Sequence, residues 1–132
     1  MREYLSERPA PTGIVAARDY LANGACQALV ERGLEIGRDV SVIGFDDVSW
    51  PQEDPFLTTF AEPSYELGAV AADMLIERLI SGWRPIERRE IDAPLILRRS
   101  AGPCPVREGG GPEHRLALVA LSADIAAPAL AF

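Results

Sequence analysis

Two adjacent carboxylates, Asp46 and Asp47, close the apolar run Val40-Ser41-Val42-Ile43-Gly44-Phe45. Side by side they repel each other and gain nothing from burial. That places them at the exposed carboxyl end of a strand, where open α/β sheets bind ligands. Two other strand-like runs end in the same way: Gly13 to Ala17 gives way to Arg18-Asp19, and Leu57 to Ala61 gives way to Glu62. On parallel strands these groups converge at one sheet edge. Carboxylates beside a guanidinium suit a polyhydroxylated small molecule, because ionised acceptors make the stronger hydrogen bonds. Trp50 and Phe56, in the loop after the acid pair, can cover an apolar sugar or base face.

Each of these residues also has a plainer role open to it. Asp46 fits a loop-capping aspartate, and Asp19 fits the cap of a following helix. Arg18 either selects a phosphorylated or carboxylated ligand or pairs with Glu62 across the vacant pocket; the pairing is the expected one, since it requires no ligand. Thr58-Thr59 reads as strand structure with a hydroxyl contact available, and Cys26 as a small buried hydrophobe. A different chemistry, magnesium-dependent phosphotransfer at Asp46-Asp47, wants a further acid and a strand-end lysine. Every basic side chain apart from His114 is arginine. His114 has no Ser, Cys or metal-ligand pattern around it, and Gly109-Gly110-Gly111 lacks the Lys and Ser/Thr of a phosphate loop. No catalytic residue, metal or cofactor is expected.

The elements that position these groups can be read in order. Residues 1 to 12 resemble the end of a helix and a Pro-rich connection. The stretch Asp19 to Arg32 carries Leu21, Ala22, Ala25, Leu29 and Val30 at helical spacing. Gly33-Leu34 gives it a left-handed stop. The Val40 run has the β-branched and aromatic content of a strand buried on both faces. Pro51 and Pro55 mark the following loop. A second helix runs from Ser64, its expected cap, to Gly82, with an apolar stripe of Leu67, Val70, Ala71, Met74, Leu75 and Leu79. Arg84 to Leu97 supplies one or two strands, with Pro94 marking an edge or a bulge. The order strand, helix, strand, strand, helix, strand implies an α/β fold on a mostly parallel sheet.

A chain of 132 residues fits one modest domain, and a net charge of -7 argues against a nucleic-acid-binding face. The amino terminus lacks the apolar core of a signal peptide. Leu116 to Phe132 is interrupted by Asp124 and Pro128, so no membrane span is expected. Cys26 and Cys104 form no metal spacing and read as reduced thiols in a cytoplasmic protein.

Taken together, Pro11 to Asp19, Ala28 to Leu34, Asp39 to Asp47, Leu57-Thr58-Thr59, Glu66-Leu67-Gly68 and Ala93 to Ser100 carry a resemblance. The block is similar to the carboxyl-terminal part of the effector-binding domain of LacI/GalR-type transcriptional regulators. The resemblance implies a partial periplasmic-binding-protein-like lobe over residues 1–100. Residues 101–132 are then a Gly/Pro linker and an unmatched Ala/Leu-rich tail, expected to dock loosely at most. It also implies that Asp46, Arg18 and Glu62 reach an effector: a sugar, a sugar phosphate or a nucleobase-like compound. Arg18 and Glu62 stand where the family tends to have Asn and Gln.

The expected partners are that effector and a second copy or a full-length regulator, with the small residues Ala22, Gly24, Ala25 and Ala28 offering a close-approach face. A truncated product is expected, with the stripe of the Ser64 helix left to find another surface. An interaction-only dimerisation fragment is the remaining alternative.

Overall fold

The computed structural model describes residues 1–7, 9–48, 55–83, 85–103 and 116–119, with backbone alone at 4, 7 and 116–119. Among the described residues five strands form one sheet: β1 (Gly13–Ala16), β2 (Ser41–Asp46), β3 (Thr58–Ala61), β4 (Leu95–Ile96) and β5 (Leu116–Val119), in the order β4-β3-β2-β1-β5. The neighbours β3, β2, β1 and β5 run parallel, and β4 pairs antiparallel with β3. Register sets Ile14 opposite Val42, and Asp46 opposite Ala61. The expected α/β architecture is what forms. Pro94 precedes an edge strand, where a residue without an N–H is tolerated, and its carbonyl accepts a 2.9 Å bond from Ala61 N–H.

One face of the sheet is covered by α2 (Asp19–Val30). Ala22, Ala25, Cys26 and Leu29 recur at helical spacing and are buried with Ile14 and Val42 of the strands beneath. Short α1 (Arg2–Glu7) adds Leu5 to the same core. Val30, expected on the buried stripe, is exposed at the end of the helix, and Ala28 is buried. Ala22, Ala25 and Ala28 are therefore used within the fold, and only Gly24 of the proposed close-approach face has open space around it. Gly33 ends the helix as expected, at φ 71°, with Leu34 N–H bonding Leu29 O at 3.1 Å.

The opposite face differs from expectation. Burial alternates along β2, with Val42 fully buried and Ile43 and Phe45 only half-buried. Phe45 and Phe60 meet there with ring centroids 6.2 Å apart. The strand is thus buried fully on its α2 side alone. Helix α3 (Ser64–Ser81) has no buried residue; Leu75, Leu79 and Ile80 all stand exposed. Its expected stripe exists, and no surface of the described chain covers it. Ser64 is not a cap: Pro63 occupies that position, and the Ser64 hydroxyl donates to Glu62 Oε2 at 3.3 Å.

One feature lies beyond the expected block and another straddles its end. Leu116–Val119 joins the sheet in parallel register with Gly13–Ala16, so part of the tail extends the sheet instead of fraying. Residues 98–102 fill the notch between the amino-terminal ends of β2 and β3. There the buried Ser100 hydroxyl donates to Val42 O at 2.6 Å and accepts from Thr58 N–H at 2.7 Å. Cys104, the glycine run and His114 lie outside the described residues.

Candidate functional site

Because β1, β2 and β3 are parallel, Arg18, Asp46 and Glu62 all follow strand ends on one edge of the sheet. Arg18 and Asp46 meet: Arg18 Nη1 lies 3.2 Å from one Asp46 oxygen and 3.3 Å from the other. The Arg18 side chain is half exposed, whereas that of Asp46 is only 9% exposed. The expected Arg18–Glu62 pairing is replaced by this one. The reason is local. Glu62 Oε2 accepts from Ser64 at the start of α3, while the extended backbone of Arg18, φ -153° and ψ 150°, carries it into α2 beside the end of β2.

Asp19 occupies the first turn of α2 without capping it. Its carboxylate is buried, accepting from Thr59 Oγ1 at 2.6 Å and from Val48 N–H at 2.9 Å. One side chain thus ties α2 to β3 and to the chain leaving β2. Gly44 makes room for it, since a Cβ there would collide with Asp19 Oδ1 and press on Leu57. Asp19 therefore acts as an internal anchor. Trp50 lies outside the described residues; Phe56 is half-buried against the core.

The acid pair itself is strained. Asp46 has φ 123° and Asp47 φ 59°, the two positive values among described non-glycine residues. Each such residue costs on the order of 1–3 kcal/mol and persists only where surrounding contacts impose it. Those contacts are two arginines. Arg18 holds Asp46, and Arg98 Nη2 holds Asp47 Oδ1 at 2.7 Å while Arg98 Nη1 donates to Leu57 O at 2.9 Å. Thr58 stands opposite Ile43, so an arginine touching both Leu57 and Asp47 requires the chain to fold back after Asp46. The mutual repulsion that made the pair conspicuous in sequence is relieved in this way.

Arg98 was not singled out from sequence. Its signal was its place in the Ala93 to Ser100 stretch of the resemblance, two residues after a short edge strand. With both aspartates held by guanidinium groups, the arrangement presents hydrogen-bonding groups at the strand-end edge.

Residues 1–101 match the family model of the periplasmic binding protein-like domain. The PurR-type transcriptional repressor of Edwardsiella ictaluri is 38% identical over 106 residues, which is 80% of this chain and 31% of that protein. A ribose-bound LacI-family regulator from Enterococcus faecium superposes with a TM-score of 0.62 at 33% identity, over 77% of this chain and 38% of its own. The lac repressor dimer bound to operator and the anti-inducer ONPF gives 0.68 at 31% identity, over 77% and 36%. The chain spans about a third of the length of these relatives, which are transcriptional regulators and not enzymes. It belongs to the periplasmic-binding-protein-like domain family, in the effector-binding form of LacI/GalR-type regulators.

Proposed function

We propose that this chain recognises a sugar-type effector for a transcriptional regulator, at the strand-end edge that carries Asp46, Arg18 and Glu62. The observation behind the reading is the Arg18–Asp46 pair at the carboxyl ends of parallel strands. Asp46 retains acceptor lone pairs and the half-exposed Arg18 retains N–H donors, so a ligand hydroxyl can donate to one and accept from the other. Glu62 leaves one positive against two negative charges on this edge, while Asp47 is offset by Arg98. That balance favours a neutral sugar over a sugar phosphate. Ribose in a structural neighbour supports the same class. Trp50 serves in this reading as a cover for the apolar sugar face, and Asp19 as the anchor beneath the edge.

The remaining parts of the reading are a cytoplasmic regulator with no DNA contact by this acidic segment itself, acting through a second copy or a full-length partner. Among the described residues no helix is long and apolar enough to cross a membrane.

Denaturant titration with D-ribose, lactose, ribose 5-phosphate and adenine tests it. A ligand at a hundred times its Kd raises unfolding free energy by about 2.7 kcal/mol. The expected outcome is such a shift for a neutral sugar, weakened at least about tenfold in Kd by Asp46→Asn through loss of a charge-assisted bond. If no compound moves the transition, effector binding by this chain is wrong.

A further inference from the structure

We propose that Arg98 is a positioning residue: its ion pair with Asp47 fixes the reversed corner after β2 and so sets where Asp46 meets Arg18 and the effector. The proposal rests on the effector reading for its last step and on the geometry of the corner for the rest. Three observations carry it. Asp46 and Asp47 are consecutive at positive φ, and Asp46, at 123°, lies outside the left-handed region that a single Asp tolerates, so the corner needs outside support. Val48, next in the chain, is tied through its N–H to buried Asp19, which fixes the far side of the corner. Arg98 holds the Asp47 carboxylate at 2.7 Å, and Arg98 is itself immobilised.

That immobilisation is unusually complete for a charged side chain at a surface edge. The Arg98 N–H donates to Thr58 Oγ1 at 2.9 Å, and its carbonyl accepts from the same hydroxyl at 3.1 Å. Nη1 reaches Leu57 O, and both ion-pair partners are about one quarter exposed or less, at 22% and 26%. With its backbone bonded to Thr58 and its guanidinium to Leu57 O, Arg98 offers Asp47 one preferred direction. The two arginines then differ in role. Arg18 is exposed enough to touch a ligand, whereas Arg98 acts through Asp47 on the neighbouring carboxylate. The segment after β4 is thereby coupled to the ligand edge through a single ion pair.

Arg98→Met, Asp47→Ala and Asp47→Asn, made in the full chain, separate this role from simple stability. In isotope-labelled protein, the amide and α protons of Asp47 are nearly eclipsed at its positive φ and give a strong intraresidue cross-peak. Arg98→Met and Asp47→Ala should lose that peak, together with shifts at Arg18 and Asp46. Asp47→Asn should keep it, because the amide oxygen still accepts from Arg98 and asparagine tolerates the left-handed region.

Asp47→Ala leaves Arg98 bonded to Leu57 and Thr58, so it remains informative if Arg98→Met does not fold. D-ribose titrations followed by the same spectra should give Kd values weakened by about tenfold or more in the first two variants, the scale of a misplaced binding group. The double variant should be no worse than either single one. Persistence of the Asp47 peak in both variants overturns the proposal, as does unchanged ribose affinity or an additive double variant. Loss of the peak with no ribose or lactose binding by the unmodified chain leaves the latch standing and removes the effector reading instead.

Discussion

Asp19 does more for the fold than its place near the strand-end edge implies. Removing its carboxylate leaves a buried threonine hydroxyl with only a 3.4 Å bond to Phe60 O and takes the acceptor from the Val48 N–H. Each such loss costs about 1–3 kcal/mol, so Asp19→Ala is expected to destabilise by about 2–4 kcal/mol in denaturant titration. Gly44→Ala should cost about 1–3 kcal/mol through collision with the same carboxylate. In the double variant the collision partner is gone, so the two losses should fall short of their sum. An additive result means that Gly44 answers to Leu57 and not to Asp19. At this scale the sequence was half legible. An acid at a helix start announces a polar role, and Asp19 has one. Whether it caps, anchors or faces a ligand depends on Thr59 and Val48, forty and twenty-nine positions away. Arg98 was hidden for the same reason, since its partner Asp47 is distant in the chain and reaches it only because the backbone reverses after Asp46.

Elements were easier to read than residues. The runs that became β1, β2 and β3, the helical spacing of α2 and the Gly33 and Gly82 stops are all local properties, and local properties survive folding. Coverage was legible only through the family resemblance, which left the stripe of the Ser64 helix to find another surface. An amphipathic pattern by itself records that a face is apolar and not what lies against it. The contrast between α3 and the seam at Ser100 gives a test. Ser100→Ala leaves the Thr58 N–H without its acceptor in a buried setting and should cost about 1–3 kcal/mol. Leu79→Glu, on an exposed helix face, should shift stability by less than about 0.5 kcal/mol in the same denaturant titration. A large loss at Leu79 shows that α3 is packed in solution, by this chain or a second copy.

Among the described residues the sheet is covered on one side, and the buried cluster between it and α2 is the core they share. Cys26 sits within it, and burial pushes its thiol up from 9.0 to about 11. The native state therefore holds this proton more tightly than the unfolded chain. Stability is full below about pH 9 and declines as pH rises toward about 11. Unfolding titrations across that range should show the decline, and Cys26→Ala should flatten it; an unchanged slope assigns the alkaline loss to other groups.

The seam formed by residues 98–102 also sets an order of events in time. Ser41 and Gly102 bond each other across sixty-one positions, and Ser100 lies between the β2 and β3 ends. Contacts of such long range must await closure of a large loop, and that search slows folding more than it lowers final stability. On a growing chain β1, α2 and β2 can assemble early. The β2–β3 notch, and with it the Asp47 corner, stays open until Arg98 and Ser100 have been synthesised. The corner beside Asp46 is therefore completed late on the nascent chain, well after the strand that bears Asp46 has formed.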